Sequence, residues 1–514
     1  MKEPRRLVIL ATILVGLGAA IFSQHNGETE LGVDGSYYFQ VARHFAAGHG
    51  LVTSVCLYHQ GLKRLPAKTN IYPLWPLLLG GAGRVMGMTT AARLLPRLMF
   101  LVDLLLLYLL TLRVAERTVG LNAVTWKGFD VGHLVVLLFG CNAIFFSSAS
   151  YPYTEAFAFL MIFASLLAME RSGGLAGALA ALAFLTRSQN IVFAAALFVA
   201  LLIVRRWRSA AAFAVAFLIV ILPWFAFLMT FIRPLTPAAL IGMYSETPRL
   251  PMFDQSVPVQ GLTEWIAERV RGALVAFNPA SEMSFVHSFG LAALLVPLAA
   301  IHVMWRRVRS VSLMPLAVLL SGAALSFVLI FVHQRFFLQW LFGYRHGLPF
   351  ILLVMLALVE LIGRGEIAAR SIAVTVSIIS IATGALTIAR TSIWHPHAWP
   401  PAEEAQLGQW LMQHDSNAIV LSTHAQVLAA ISGGNFRWAT CQEDPQEIRQ
   451  VISLVKTDYV AAYDGEQSCP FLRGLVGREL EIIAIFGQAP RRLFLMRVRR
   501  PLPTSSAPPS TPGG

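Results

Sequence analysis

The residues best suited to chemistry lie in one short stretch near the start of the chain, at positions 33–50. Asp34 opens it, and Tyr37 and Tyr38 follow about one helical turn later. A carboxylate placed just beyond an apolar segment can act as a general base on a hydroxyl group. Aspartate is also a common N-cap, because its side chain accepts hydrogen bonds from the first amides of a helix. The two roles are compatible, and the residues alone favour neither.

A membrane must position this stretch, because the chain is too apolar for a soluble domain. Of its 514 residues, 56% are hydrophobic and 13% are charged, and the mean hydropathy is +0.64. Since a span needs about 20 mostly apolar residues, we predict a polytopic α-helical membrane protein with about 11 transmembrane helices. The predicted spans lie near 7–22, 94–112, 131–148, 154–170, 173–186, 190–204, 210–231, 288–305, 311–332, 347–363 and 371–389.

Basic residues indicate which loops face the cytoplasm. Residues 71–88 are apolar, but Pro73 and Pro76 interrupt them, and we expect this segment to lie in the membrane interface. The arginine and lysine clusters then share one side, at 2–6, 113–127, 171, 205–208, 306–309 and 364–370. The positive-inside rule places that side and the N-terminus in the cytoplasm. The net charge of +13 therefore reports topology rather than a nucleic-acid partner, and we expect a multi-pass protein of a bacterial inner membrane with an outer C-terminus.

The regions outside the membrane are long enough to carry function. We expect a transmembrane domain over residues 1–390, with outer loops at 23–93 and 232–287, the second containing an amphipathic stretch at 262–277. Residues 391–500 have a soluble pattern, which predicts a small extracytoplasmic α/β domain. Its expected strands lie near 418–422, 459–463, 481–486 and 492–498, and its helices near 403–413, 424–431 and 445–456. The Pro/Ser-rich tail 501–514 is expected to be disordered.

Several short motifs lie on the predicted outer side of the membrane. They are Asp34 with its tyrosines and Gly48-x-Gly50, Tyr72-Pro73-x-x-Pro76, Ala92-Arg93-Leu94, Ser150 to Glu155, Leu185-Thr186-Arg187, and Tyr344 to Pro349. Their order and shared side resemble the GT-C glycosyltransferases, the superfamily of the aminoarabinose transferases and protein mannosyltransferases. The resemblance covers residues 1–390, and an outer α/β domain fits the common C-terminal arrangement of that superfamily.

The resemblance implies an enzyme, a glycosyltransferase. Such an enzyme transfers a single sugar from a polyprenyl-phosphate donor to a lipid, glycan or protein acceptor at the outer face, with inversion. Members carry an essential acidic residue in the first outer loop, which makes Asp34 the candidate catalytic base. Glu155 corresponds to a second acidic residue that orients the acceptor or holds a cation. A solvated carboxylate at a helix end is the simpler interpretation of Glu155.

The lipid phosphate requires cations rather than a nucleotide-binding glycine loop. Arg345 is the leading candidate to bind it, because a guanidinium binds phosphate in a bidentate way. Arg187 is next, because it lies at the outer end of a span, against the inside bias. Lys68 follows from the resemblance, since it loosely matches a lysine before the proline motif in some relatives. A cation that only reaches the lipid headgroups is the alternative for each of them. The expected lining of the substrate cavity is Tyr37, Tyr38, Tyr153 and His346.

Metal and cysteine chemistry stay open. A divalent cation is compatible with the outer histidines, but none has a spacing such as HExxH, so we assign no metal site. These histidines are His44, His49, His59, His333 and His346. Cys441 and Cys469 both fall in the outer domain, where a disulfide between them, or between one of them and Cys56, suits the compartment.

Asp103 lies in the middle of the second predicted span. An isolated charge there costs several kcal/mol, so we expect it to face the bundle and either meet a partner or be protonated.

Two other function classes fit a chain with many spans. One is a transporter or flippase of lipid-linked sugars, and the other is a non-catalytic envelope protein whose outer domain binds glycan. Against transport, no inverted repeat or matched pair of broken helices is visible. The sequence specifies neither the sugar nor the acceptor.

Overall fold

The structure, a computed structural model, describes most of the helical part of the chain. The described residues are 3–23, 33–56, 65–69, 71–231, 289–306, 312–328, 347–394, 402–438, 452, 457–464, 472, 475–488 and 492–499. Several predictions fall outside these residues: those for loop 232–287, for most of helix 445–456, for tail 501–514, and for Arg345, His346, His59, His333, Cys441 and Cys469.

Helices dominate the described residues. The N-terminal half contains α1 (Glu3–Ser23), α2 (Val33–Ala46), α3 (Leu74–Met86), α4 (Met88–Thr118), α5 (Val131–Gly140), α6 (Ala143–Ser150), α7 (Glu155–Ala168), α8 (Gly173–Thr186), α9 (Ile191–Ile203) and α10 (Trp207–Phe231). The C-terminal half contains α11 (Leu295–Arg306), α12 (Leu313–Val328), α13 (Ile351–Arg364), α14 (Ile367–Trp394), α15 (Ala402–His414) and α16 (Ala425–Ser432).

Each predicted span coincides with one or two of these helices. Within the described residues, four helices are long and apolar enough to cross a membrane, namely α1, α4, α10 and α14. The pair α5 and α6 would be a fifth span, broken by a bend of 61°. Asp130 caps α5 and Asn142 caps α6, so both halves of this pair begin at side chains that accept amide hydrogen bonds. The count of about 11 spans stays a prediction.

The apolar segment 71–88 contains α3 (Leu74–Met86), a short helix that packs along α2. Arg84 of α3 donates from Nε to the carbonyl of Ala46 at 2.9 Å and from Nη2 to that of Phe45 at 2.7 Å. These carbonyls belong to the last turn of α2, where they have no acceptor role within the helix. Gly87, with φ +85, then separates α3 from α4, so the two are not one continuous helix.

Helices α8 and α10 approach each other unusually closely. A Cβ at Gly173 would lie 2.2 Å from the Ser209 carbonyl oxygen, and one at Gly177 would lie 2.2 Å from that of Phe213. Small residues four apart allow this kind of backbone contact between apolar helices. The contact holds the N-terminal half of α8 against the N-terminal half of α10.

Phenylalanines fill the centre of the bundle. Phe139 of α5 stacks on Phe145 of α6 with ring centroids 4.0 Å apart, and it meets Phe159 of α7 edge to face at 5.5 Å. All three are buried. Aromatic pairs of this geometry add about 0.5–1.5 kcal/mol to simple burial. They hold the bent pair against α7, which begins at Glu155.

Asp103 is fully buried on α4. Among the described residues neither of its carboxylate oxygens has a hydrogen-bond partner. The described part of the structure therefore shows the expected bundle-facing position but not the expected pairing.

Basic residues gather at one end of the bundle, which we call the basic end. Arg117 Nε lies 3.0 Å from Glu170 Oε1, and Arg206 donates to the Glu170 carbonyl at 3.3 Å. Arg364 of α13 donates to the carbonyl of Thr118, the last residue of α4. This grouping agrees with the prediction that the basic clusters share one side of the membrane. Which side the basic end faces stays a prediction.

A six-stranded mixed sheet contains the predicted strands of the C-terminal region. Its order is β2-β7-β6-β8-β10-β9, and the pairs from β2 to β8 are parallel whereas the last two are antiparallel. The strands are β2 (Val55–Cys56), β6 (Ile419–Ser422), β7 (Asn435–Trp438), β8 (Tyr459–Tyr463), β9 (Leu480–Phe486) and β10 (Leu493–Val498). The short pairs β1 (Val52–Thr53) with β3 (Ala67–Lys68) and β4 (Thr125–Trp126) with β5 (Phe129–Asp130) stand apart from it. Because β2 lies between α2 and α3, the sheet includes residues from outside 391–500.

Candidate functional site

Asp34 lies in the first turn of α2 and is half-buried. A negative side chain is favoured there by the helix dipole. The next residue, Gly35, packs directly on the loop before α7. A Cβ at Gly35 would lie 3.2 Å from Pro152 Cγ and 3.3 Å from Tyr153 Cε1, which is tighter than ordinary contact. The start of α2 is therefore held against the segment that leads into Glu155.

Trp75 of α3 ties this loop from a second direction. The indole Nε1 donates to the carbonyl of Pro152 at 2.7 Å, and the side chain is fully buried. Tyr38 packs on the same apolar cluster, which includes Phe157 of α7. Two of the residues expected to line the substrate cavity, Tyr38 and Tyr153, therefore lie at the loop that contains Pro152.

Tyr37 occupies a different environment. Its ring is buried in the apolar core beneath the sheet, with Leu407, Phe436 and Leu495 among its neighbours. Its hydroxyl lies 3.3 Å from Thr69 Oγ1. The ring of Tyr37 therefore docks α2 on the sheet, and a role at the substrate rests on the hydroxyl.

Glu155 and Arg187 form an ion pair at this end of the bundle. Glu155 begins α7, Arg187 directly follows α8, and the Arg187 guanidinium donates to the Glu155 carboxylate. The side chains are 3% and 15% exposed, respectively. Removing one partner of a buried pair strands the other charge at a cost of about 3–5 kcal/mol. A residue expected to bind phosphate and one expected to act on the acceptor are thus direct partners.

Tyr72 lies beside Arg187, and its side chain is hydrogen-bonded to that of Ser188. Its ring packs on Phe184 at 5.3 Å and on Trp224 of α10 at 6.4 Å between centroids. Burial raises the pKa of Tyr72 above its ordinary value, so the phenol stays neutral. Tyr72 links the proline motif to the ends of α8 and α10.

Lys68 is the exposed cation of this region. It ends strand β3, and its Nζ lies 5.4 Å from the ring centroid of Phe231, the last residue of α10. A Cβ at Gly50 would lie 3.6 Å from the same Nζ. The ammonium group is therefore at the same end of the bundle as Arg187, because α8 and α10 both end there.

Arg43 joins α2 to the C-terminal region. Its Nη1 donates to the carbonyl of Ala430 at 3.0 Å and its Nη2 to that of Ala429 at 2.9 Å. These carbonyls lie near the end of α16, where a cation is favoured. Nearby, Gln40 binds the Ser54 amide at 2.9 Å, and strand β2 pairs with β7. The helix that begins near Asp34 is thus anchored to the sheet.

His44 and His49 form the histidine pair of this loop. Their Nδ1 atoms are 3.4 Å apart, and His44 Nε2 lies 2.6 Å from Ser54 Oγ. Burial, together with Arg43 and His49, lowers the pKa of His44 to about 4. Within the described part of the chain, no group of three His, Cys, Asp or Glu side chains is arranged to hold a metal ion.

The arrangement brings together a carboxylate in reach of solvent, a buried Glu–Arg pair and an exposed ammonium group. Such a set can accept a proton and stabilise a phosphate. Sequence reasoning missed Arg43 and Ser188 and assigned no role to Tyr72. The sequence did contain a signal for Tyr72, namely its place in the proline motif. Arg43 had none, because its carbonyl partners are more than 380 residues away.

Comparison with known proteins gives a distant likeness. No family model matches the chain, and no curated protein matches it. The chain is similar to a crystal structure of ArnT from Cupriavidus metallidurans bound to undecaprenyl phosphate, with 12% identity, a TM-score of 0.46, and coverage of 96% of this chain and 98% of that one. It is also similar to ArnT from the same organism in the apo state, with 12% identity, a TM-score of 0.43, and coverage of 96% and 97%. At these values, the roles of individual residues rest on the contacts of this chain alone.

Proposed function

We propose that this protein is an integral-membrane glycosyltransferase of the GT-C type. It transfers one sugar from a polyprenyl phosphate to a lipid, glycan or protein acceptor at the outer face of the membrane. The support is the set of GT-C-like motifs together with the meeting of their residues at one end of an apolar helical bundle. In this proposal that end faces outward, the basic end faces the cytoplasm, and the sheet lies outside.

In the proposed reaction, Asp34 accepts the proton of the acceptor hydroxyl. The acceptor oxygen attacks the anomeric carbon from the side opposite the phosphate, so the configuration inverts. The bond between the anomeric carbon and the phosphate oxygen breaks, and its electron pair stays on the lipid phosphate. Arg187 and Lys68 stabilise this growing charge, as fixed cations do in other transfer reactions. Glu155 orients the Arg187 guanidinium.

One observation carries the proposal more than the others. A Cβ at Gly35 would lie within 3.3 Å of Pro152 and Tyr153, so the start of the Asp34 helix packs against the segment that leads into the Glu155–Arg187 pair. A base for the acceptor and a cation for the leaving group must lie on opposite sides of one sugar ring. The Gly35 contact brings the helix that carries Asp34 close to the segment that leads into Glu155.

The test is an Asp34→Asn variant expressed in a strain that lacks the protein. Mass spectrometry of its outer-envelope lipids and glycans should show the same missing sugar as the deletion strain. Asp415→Asn is a matched control, because Asp415 follows α15, far along the chain from the candidate site residues, and it should restore the sugar. Equal amounts of both variants in the membrane exclude a folding defect.

The same experiment separates the proposal from lipid transport. A transferase variant leaves the sugar on its polyprenyl phosphate at the outer leaflet, where an externally added glycosidase can remove it. A transporter variant leaves the donor lipid inside, protected from the enzyme. Full restoration of the sugar by Asp34→Asn would refute the assignment of Asp34 as the base.

A further inference from the structure

Arg97 of α4 is a buried cation that the proposed reaction does not use. The residue is 6% exposed, and among the described residues its Nε and Nη2 have no hydrogen-bond partner. Its contact is the ring of Phe22 near the end of α1, with Cζ 5.9 Å from the centroid. A guanidinium carries five N–H donors and is costly to bury without acceptors. The position therefore favours an anion that supplies oxygen atoms.

A second arginine strengthens the positive charge. Arg93 precedes Arg97 by four residues on the same helix, so the two lie on one face, one turn apart. Neither arginine forms an ion pair with a carboxylate in the part of the chain that the structure describes. Like charges at this spacing repel each other. An anion near both would remove that repulsion.

An apolar groove lies about one helical turn from Arg97, between the same two helices, α1 and α4. It has a volume of about 400 Å³ and runs between Gly18 of α1 and Leu101 and Leu105 of α4. Leu101 is one turn after Arg97, and Gly18 is one turn before Phe22, so the Arg97–Phe22 contact lies about one helical turn beyond the groove. The groove opens sideways, because Val102 and Leu105 are 41% and 38% exposed.

Helix α1 is mostly exposed along this groove. Only 17% of its most apolar stretch is buried inside the protein. The groove follows α1 from Leu14 to Ala19, a length of about 8 Å at the usual rise per residue. That length accommodates part of one acyl chain, and the sideways opening admits the chain from the bilayer.

We propose that Arg97 and this groove bind one anionic phospholipid of the surrounding bilayer. Its phosphate accepts hydrogen bonds from Arg97 and is attracted by Arg93, while one acyl chain fills the groove between α1 and α4. A phosphate satisfies a guanidinium in a bidentate way. The site is separate in its residues from the proposed transferase site, and it would attach α1 to the bundle.

The test uses the full-length protein, delipidated in an uncharged detergent. Native mass spectrometry and thermal unfolding follow titration with dioleoyl-phosphatidylglycerol, with dioleoylglycerol as the probe that lacks the phosphate. We expect binding and a raised unfolding temperature with phosphatidylglycerol alone. Arg97→Gln should weaken that binding about tenfold, the scale of one charged hydrogen-bond pair, and Arg97→Lys should weaken it less.

Groove variants test the acyl chain independently of the arginine. Gly18→Leu fills the groove, because a Cβ there already lies 3.5 Å from Leu101 Cδ1, and it should abolish binding. Gly16→Leu is its matched control, since a Cβ at Gly16 meets nothing within 4 Å, and it should bind normally. These variants decide the question even if Arg97→Gln fails to fold.

Several outcomes would overturn the proposal. They are unchanged binding in both Arg97→Gln and Gly18→Leu, equal binding of dioleoylglycerol, protection by inorganic phosphate alone, and Arg97-dependent binding of polyprenyl phosphate in preference to phosphatidylglycerol. None of them depends on sugar transfer, so a failure here leaves the proposed function untouched. Conversely, an inactive Asp34→Asn protein should bind phosphatidylglycerol normally.

Discussion

The two ends of the helical bundle each hold a buried carboxylate beside an arginine, yet the two groups are built differently. At the basic end, Asp130 is fully buried and lies 3.8 Å from Arg6. Its Oδ2 accepts from the Tyr108 hydroxyl at 3.1 Å, and its Oδ1 accepts from the His133 amide at 3.2 Å. The Arg6 guanidinium in turn donates to Thr125 at 2.7 Å. This network caps helix α5, and within the described part of the chain Arg6 Nε is the member without a hydrogen-bond partner.

At the opposite end, the Glu155–Arg187 pair is accompanied by charged groups that keep part of their surface exposed. Arg187 keeps 15% of its side chain exposed, Lys68 is exposed, and Asp34 is half-buried. These residues come from four separate segments that meet at helix ends. The comparison teaches that a buried carboxylate and arginine do not by themselves mark a site. A ligand site needs charges that the fold brings together and leaves accessible.

The largest expected effect is on Arg187. Arg187→Ala should lower sugar transfer by roughly 10²–10³-fold, because a fixed cation at the leaving phosphate is removed. Arg187→Lys should retain part of the rate, since it keeps the charge but not the bidentate geometry. Transfer is measured on purified protein in liposomes. An Arg187→Ala protein with more than a tenth of the wild-type rate would contradict the difference drawn between the two ends.

Asp130 should show the reverse behaviour. Asp130→Asn should reduce the free energy of unfolding by about 2 kcal/mol, because it weakens a helix cap and leaves buried donors poorly satisfied. Transfer per folded molecule should stay at the wild-type level. Denaturant titration in detergent gives the first quantity, and the rate normalised to folded protein gives the second. A selective loss of rate would show that the basic end also takes part in catalysis.

Arg43 tests whether the sheet positions the candidate base. Arg43→Ala removes the donor of the Ala430 carbonyl, while the Ala429 carbonyl keeps the Gly433 amide at 3.1 Å, which should cost about 1–2 kcal/mol of stability. Because α2 then shifts, we expect kcat to fall about tenfold with KM little changed, as for a displaced catalytic group. Arg43→Lys should restore part of kcat. A change confined to stability would make Arg43 a purely structural contact.

The smallest effect concerns His44 and pH. Its pKa is lowered to about 4 in the folded protein, against about 6.5 in an unfolded chain. Between these values the unfolded chain binds more protons, so stability is full above pH 6.5 and declines as pH falls toward 4. His44→Gln should flatten that decline in thermal unfolding curves. An identical decline in the variant would assign the pH dependence to other groups.

Local pattern predicted the elements well. Apolar runs marked each helix of the bundle because an apolar segment of that length must be buried or lie in lipid. The strands at 419–422, 459–463, 480–486 and 493–498 followed the predicted ranges closely. Strand β7 was missed, because Asn435–Trp438 alternates polar and apolar residues over four positions only, the shortest run that indicates a strand. Strand β2 was missed because two residues carry no periodic signal.

The sequence also singled out Asp34, Glu155, Arg187 and Lys68. Arg187 was selected by its place outside against the inside bias, whereas Asp34, Glu155 and Lys68 rested on their position together with the resemblance to GT-C motifs. The sequence did not show that Glu155 and Arg187 are partners, which requires α7 and α8 to be antiparallel neighbours. Nor did it separate Tyr37, whose ring is in the core under the sheet, from Tyr38 beside the Pro152 loop.

The sequence by itself determined the apolar helical character, the helix positions and the charged candidates, since these depend on residues close together in the chain. Tertiary structure alone decided which candidates meet. The close approach of α8 to α10 at Gly177 sets these two helices side by side, and the ring of Tyr72 packs across both, on Phe184 and Trp224. The Arg43 contact joins segments from opposite ends of the chain. Such meetings arise from close packing between helices, and no local pattern encodes them.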